Sequence, residues 1–258
     1  MKSPGSITRR LLAVFLGIWS LCVAVQADEI VVYGGEAFPP QSYLKNGKPA
    51  GIMPAVFARI AKDTGDTYTL ILLPWKRAMS ESNAGHGGIS NFSMTRERAL
   101  QFDYSDYIYA NRVYLLTLKG HTFPFKTLND LKGKRIGIAL GSSYGDTFDQ
   151  AVRDHLFDVD YDTNQVLRFK KLLAGRFDGA LAGFDSYNRT LHGDLDLYAN
   201  RDKFIVNPNP VVEDRLYLAF PKSMRMQPAL RRFNQALAGL KKSKELQRII
   251  DENSQADE

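Results

Sequence analysis

Short runs of β-branched and aromatic residues alternate with stretches whose apolar positions recur every three or four residues, and this rhythm runs from Glu29 onward. Residues 29–33 form an apolar run stopped by Gly34-Gly35, which predicts a buried strand. Residues 36–43 carry Pro39-Pro40 and predict a loop whose aromatics need a surface to lie on. Asn46-Gly47 predicts a tight turn. Val56, Phe57, Ile60 and Ala61 share a helical face in 54–64, with Pro54 suited to the first turn. Residues 68–73 predict a second strand. Pro74-Trp75-Lys76-Arg77 opens a helix ending near Asn83-Ala84-Gly85, and Gly88-Ile89 ends a third strand. Further on, 113–118, 135–139, 177–184 and 216–220 read as strands and 166–174 as a helix. The strand at 177–184 runs into a loop with Asp185 and Tyr187. Leu230, Phe233, Leu237, Leu240, Leu246 and Ile250 give 226–251 one apolar helical face, hence core residues. Alternating strands and helices predict an α/β fold built on a parallel sheet with crossover helices. Ligands of such sheets sit beyond the carboxyl ends of the strands, so 36–43, Trp75 and 90–98 should line one rim.

Two polar stretches interrupt this pattern at strand ends. Ser90-Asn91-Phe92-Ser93-Met94-Thr95-Arg96-Glu97-Arg98 reads as a turn into a helix with Thr95 as N-cap. Backbone N–H groups, hydroxyls and the Arg98 fork would there suit one small anion, most naturally a carboxylate. Gly141-Ser142-Ser143-Tyr144-Gly145-Asp146 repeats the device, and Ser142 and Ser143 could hold the same anion from the opposite side.

Composition narrows the field without changing the outline. The chain has 258 residues, 44% hydrophobic and 24% charged, which is ordinary globular usage and allows one large domain or two smaller ones. Residues 1–27 read as a secretory signal peptide: Lys2, Arg9 and Arg10, then an apolar stretch, then Val25-Gln26-Ala27, with cleavage expected before Asp28. Their removal takes the formal charge from +6 to +3. No Lys/Arg run exceeds two residues, so no nucleic-acid partner is expected. The single cysteine, Cys22, lies in the leader, so the mature chain should have neither disulfide nor thiol chemistry. Four scattered histidines show no metal spacing, and neither metal nor cofactor is expected.

Several motifs then fall in a telling order. Pro39-Pro40 is followed by Tyr43, Asn46-Gly47-Lys48 and Gly51; Pro74-Trp75-Lys76-Arg77-Ala78 opens a helix. Ser93-Met94-Thr95-Arg96-Glu97-Arg98 precedes Phe102-Asp103-Tyr104-Ser105-Asp106. Leu131-Lys132-Gly133-Lys134-Arg135-Ile136-Gly137 precedes Gly141-Ser142-Ser143, and Gly175-Arg176-Phe177-Asp178-Gly179-Ala180 and Phe220-Pro221-Lys222 complete the series. The series resembles the periplasmic polar amino-acid-binding proteins of ABC importers, the family 3 extracellular solute-binding proteins. That resemblance implies a two-lobe, type II periplasmic-binding fold with the ligand cleft between lobes. Lobe 1 would be 28–110 plus 214–258 and lobe 2 111–213, joined by crossings near 109–111 and 211–216. It implies that Arg98 grips a ligand α-carboxylate, helped by Ser93 and by Ser90 or Asn91, and met by Ser142 and Ser143 from the other lobe. Trp75 and Tyr43 would supply apolar wall. Where the family places an aspartate for the ligand ammonium, this chain has Gly183. Asp185 or Glu36 would serve instead, or the ammonium site is altered. The implied function is capture of a small carboxylate-bearing solute, an amino acid being expected, by a monomeric, non-catalytic periplasmic protein serving an inner-membrane ABC permease. A dehydratase-like enzyme on the same scaffold and the binding subunit of a sensory system are the alternatives.

Overall fold

The computed structural model describes residues 28–254. The leader, its cleavage site and Cys22 lie outside the described residues. Among the described residues no helix is long and apolar enough to cross a membrane.

The first part of the chain builds β1 (Glu29–Gly35), β2 (Ala37–Phe38), β3 (Ser42–Lys45), β4 (Lys48–Ala50), α1 (Ile52–Thr64), β5 (Thr67–Leu73), α2 (Trp75–Asn83), β6 (Gly88–Ser93), α3 (Arg96–Gln101) and β7 (Phe102–Tyr104). The long strand β8 (Tyr109–Leu118) leads to β9 (Arg135–Ala139), α4 (Asp146–Arg153), β10 (Asp158–Asp162), α5 (Gln165–Leu173), β11 (Gly179–Gly183), α6 (Phe184–His192) and α7 (Leu195–Ala199). The chain returns along β12 (Phe204–Pro221) and closes with α8 (Gln227–Lys242) and α9 (Glu245–Ser254).

One sheet runs through the molecule in the order β10-β9-β11-β8-β12-β6-β1-β5, with β7 also paired to β12. Its flanks are parallel, as the alternating pattern predicts: β1 with β5 and β6, and β9 with β10 and β11. Its centre is not. β8 and β12 run antiparallel to each other and to the strands beside them, so the sheet is mixed. The expected strand at 216–220 is only the end of β12. Pro208 and Pro210 hide its first half, and the register slips around Pro210, as a residue without an N–H requires.

Side-chain packing divides the sheet in two. Ile30, Val32, Phe57, Leu218, Leu237 and Phe233 belong to one core beneath α1, α8 and α9, and Phe57 and Phe233 touch ring to ring at 5.5 Å. Val113, Leu115, Ile136, Ile138 and Leu181 belong to another, and Leu116, Phe169 and Phe204 to a third beside it. Along β8, Tyr109 packs into the first core and Val113 into the second. The strand therefore leaves one apolar interior and enters another within a few residues. The result is a mixed α/β fold of two lobes.

Other differences have local causes. Residues 36–43 are not simply loop: β2, β3 and β4 form a small antiparallel sheet, and the Ser42 hydroxyl donates to Gly35 O at 2.7 Å. The segment after β11 is helical (α6 and α7), Asp194 capping the second of these by accepting from Leu197 N–H. The last helix is two, broken where Lys244 takes a positive φ of 61°. Of its expected core face only Ile250 is half-buried; the other five residues are buried.

Candidate functional site

The first wall of the site comes from β6 and α3. β6 extends to Ser93 with all six residues buried, so Ser90 to Ser93 lie on a strand and not in a turn. Strand side chains alternate, and this sorts the four residues. Ser90 and Phe92 face inward; Ser90, fully buried, donates to Tyr33 O at 3.2 Å. Asn91 and Ser93 face a cavity. Thr95 caps α3 as its sequence predicts, accepting from Arg98 N–H at 3.2 Å. The Arg98 guanidinium lies 4.4 Å from the centre of the Phe92 ring, which itself stacks on Tyr104. Its Nη1 donates to Ser93 O at 3.0 Å. Burial pushes the Arg98 pKa below its ordinary value, the sign that its charge lacks full solvation. No carboxylate among the described residues pairs with it.

Asn91 has a left-handed φ of 56° and is 9% exposed. Its Nδ2 donates to Ser42 Oγ at 2.7 Å. That hydroxyl's proton already goes to Gly35 O, so Ser42 can only accept, and the amide orientation is fixed by its surroundings. Asn91 Oδ1 is left buried with no partner among the described residues.

Trp75 and Phe38 form an aromatic wall, their rings edge to face at 5.8 Å. Trp75 Nε1 crosses to the other lobe and donates to Gly141 O at 3.0 Å. Beyond it lie Ser142 and Ser143. Ser143 donates its hydroxyl to Asp149 and accepts from Gly145 N–H, while Tyr144 N–H donates to Asp149 Oδ1 at 3.0 Å. Those helix-start donors are thus engaged by the chain's own carboxylate. Deeper in, Arg168, 4% exposed, forks onto Asp162 at 2.9 and 3.1 Å and donates to Leu181 O. Burial pushes the Asp162 carboxyl up against the pull of Arg168.

The crossings complete the enclosure. Asn111 on β8 is the direct partner of Asp214 on β12. Asn111 and Val113, and Asp214 and Leu216, point into the cavity at strand spacing. Ser93 donates its hydroxyl to Asp214 Oδ2 at 2.7 Å. Burial pushes the Asp214 carboxyl up to about 7, against the downward pull of the Ser93 hydroxyl and Arg98.

The structure brings Arg98, Ser93, Asn91, Trp75, Ser142 and Ser143 together around one cavity of about 100 Å³. It does not bring three others there. Ser90 is on the inward face of its strand. Glu36 sits in the turn after β1, its N–H donating to Leu73 O. Tyr43 is turned toward α6, where Arg189 lies 5.3 Å from its ring centre. The Asp185 side chain lies outside what is described. Asn111, Arg168 and Asp214 join the site although no motif in the sequence assigns them to it. The available signal was a polar residue two positions before an apolar one on each crossing, Asn111-x-Val113 and Asp214-x-Leu216. Among the described residues no cluster of three His, Cys, Asp or Glu is arranged to hold a metal ion.

The family model of the bacterial extracellular solute-binding proteins, family 3, matches residues 30–255. The chain is 27% identical over 147 residues to the L-cystine-binding protein TcyJ of Escherichia coli, covering 56% of this chain and 54% of that one. It is 29% identical over 168 residues to ABC transporter arginine-binding protein 1 of the same species, covering 64% of each. The aligned region thus spans about half the length of the cystine-binding relative. Among solved structures, the arginine-, lysine-, histidine-binding protein ArtJ of Geobacillus stearothermophilus superposes with a TM-score of 0.69 at 23% identity, over 87% of this chain and 94% of that one.

Proposed function

Because the chain belongs to family 3 of the bacterial extracellular solute-binding proteins, we propose that it captures one small carboxylate-bearing solute, an amino acid, and delivers it to the permease of an ABC importer. The observation that carries this reading is Arg98: a half-buried, aromatic-stacked guanidinium that faces the cleft and pairs with no carboxylate among the described residues. A cation so placed is costly unless a ligand anion joins it, and a planar fork suits a carboxylate better than an ammonium would. Ser142 lines the same space and would meet that anion from the second lobe, with Trp75 closing over the rest. The relatives bear the names of cystine- and arginine-binding proteins, which supports an amino-acid ligand.

In this reading the protein works as a non-catalytic monomer in the periplasm after loss of residues 1–27. Lobe 1 is 28–110 with 214–258, lobe 2 is 111–213, and the lobes hinge at β8 and β12. Opening and closing about two strands is a known mode of ligand capture. The test is a thermal-shift screen of amino acids, opines, small peptides and dicarboxylates against the mature chain. A ligand at one hundred times its Kd adds about 2.7 kcal/mol of stability, a shift of several degrees. Flat melting curves with every compound reject the proposal.

A further inference from the structure

Any solute that gives its carboxylate to Arg98 also meets three acceptors in the same cavity. Asn91 Oδ1 is buried, held outward by the Ser42 contact, and without a partner among the described residues. Asn111 Oδ1 is buried without a partner in the same way. Asp214 sits across the strand pair from Asn111, one oxygen taken by Ser93. Desolvated acceptors with no donor are expensive, so the cavity as built calls for a ligand rich in N–H. The end of β11 offers no acceptor side chain at Gly183. A Cβ there would lie 2.7 Å from Asn111 Oδ1 and 3.1 Å from Ser186 Oγ, so Asn111 occupies the room a longer residue would need.

We propose that the ammonium of the solute is seated on the crossing strands, between Asp214 and Asn111 with Asn91 completing the cradle, and not at the end of β11. This deepens the reading above and rests on Arg98 as the carboxylate anchor. Ser93 then spaces the two charges: its carbonyl accepts from Arg98 and its hydroxyl donates to Asp214. The substrate class is a zwitterion with adjacent carboxylate and ammonium, gripped at both ends by the first lobe and the crossings. The second lobe adds Ser142 to the carboxylate as it closes.

The groups around Asp214 set the sign of the pH effect. Arg98 from α3 favours its ionised form and Asp149 from α4 opposes it. Tyr144 before α4 and Tyr217 on β12 itself have raised pKa values and stay neutral, and Arg168 is neutralised by Asp162. An ammonium seated against Asp214 favours the carboxylate, so binding expels a proton below pH 7 and tightens as pH rises from 5.5 to 8.

The experiment takes the mature chain through the twenty proteinogenic L-amino acids with L-ornithine, then the 2-oxo acid matching the tightest binder, on wild type, Asp214→Asn and Asn111→Ala. The unliganded melting point reports whether each variant folds. The expected result is binding of the amino acid at least one hundredfold tighter than its 2-oxo acid. Asp214→Asn should weaken the amino acid at least tenfold and the 2-oxo acid less than threefold. Calorimetry of wild type at pH 6.5, in two buffers of different ionisation enthalpy, should show proton release with the amino acid and none with the 2-oxo acid, a reading that needs no variant to fold. A 2-oxo acid bound within threefold of the amino acid overturns the ammonium seat while leaving the Arg98 reading intact. So does a folded Asp214→Asn that binds the amino acid within twofold of wild type. Failure of every amino acid to bind wild type removes the amino-acid reading and this inference with it.

Discussion

Arg98 concentrates the chemistry of the site in one side chain, because its charge, its stacking on Phe92 and its bond to Ser93 O act together. Arg98→Ala should abolish solute binding, a loss of about 2–5 kcal/mol for a buried charged partner, while the melting point of the unliganded protein stays close to wild type. Arg98→Lys should not restore binding, since a lysine provides neither the planar stack nor the fork. Titration of the solute into each variant checks both. Asp214 has its own signature in stability. Its carboxyl is raised in the fold to about 7, so the folded protein holds a proton that the unfolded chain has released above about pH 4. Its contribution is complete below that value and is lost as pH climbs to 7, at about 1.4 kcal/mol per pH unit at most. Asp214→Asn lacks this slope and should gain on wild type between pH 4 and 7 in urea unfolding. Arg98, Ser93 and Thr95 were legible in the sequence because a hydroxyl–helix–arginine spacing has a fixed geometry. Ser90 was not separable from Asn91, since neighbours in sequence face opposite ways only once the strand is known to run on through them.

At the scale of elements, α5 is tied to its sheet by one buried pair. Arg168 reaches Asp162 on β10 and Leu181 O on β11. Arg168→Ala should destabilise the protein by about 3–5 kcal/mol, the cost of a buried carboxylate without its partner. Acid should relieve part of that, because Asp162 can then take a proton. The double replacement Arg168→Met with Asp162→Leu should recover most of the loss, and denaturant midpoints at pH 5 and pH 8 compare all three. The elements easiest to read from sequence were those with one plain face: β1 and α8 bury an alternating or helical apolar set. Those that escaped were written in other chemistry. β10 alternates Asp158, Asp160 and Asp162 at the sheet edge, where charge guards against stray pairing. The first half of β12 carries two prolines and two asparagines, composition that in isolation signals a turn. α6 and α7 lack a long apolar repeat and are held by a cap and by packing of Leu191 and Leu197.

The molecule as a whole is closed. Trp75 Nε1 meets Gly141 O, Arg96 meets Asp146 through its backbone N–H at 3.1 Å and its side chain, and Arg189 of α6 reaches Asn253 O at 3.3 Å and the Tyr43 ring. The exposed Arg96–Asp146 pair contributes little, as surface pairs do. Asp146→Asn should leave affinity within about twofold. Trp75→Phe keeps the aromatic wall and removes the donor across the cleft, so it should speed solute release several-fold, with the change in koff measured by stopped-flow fluorescence. Small-angle scattering should record a smaller radius of gyration with solute than without. The two-lobe fold class was legible from the order of motifs along the chain, but the central antiparallel pair was not, because its partners lie about a hundred residues apart.

That pair has a mechanical meaning. β8 and β12 are bonded to each other where the chain passes between the two interiors, so the joint is a ribbon and not a couple of separate threads. A ribbon flexes across its flat and resists sliding along its length. On the proposed hinge the jaws would swing without losing their alignment, and a molecule resting on one of them would meet the same atoms of the other at every stroke.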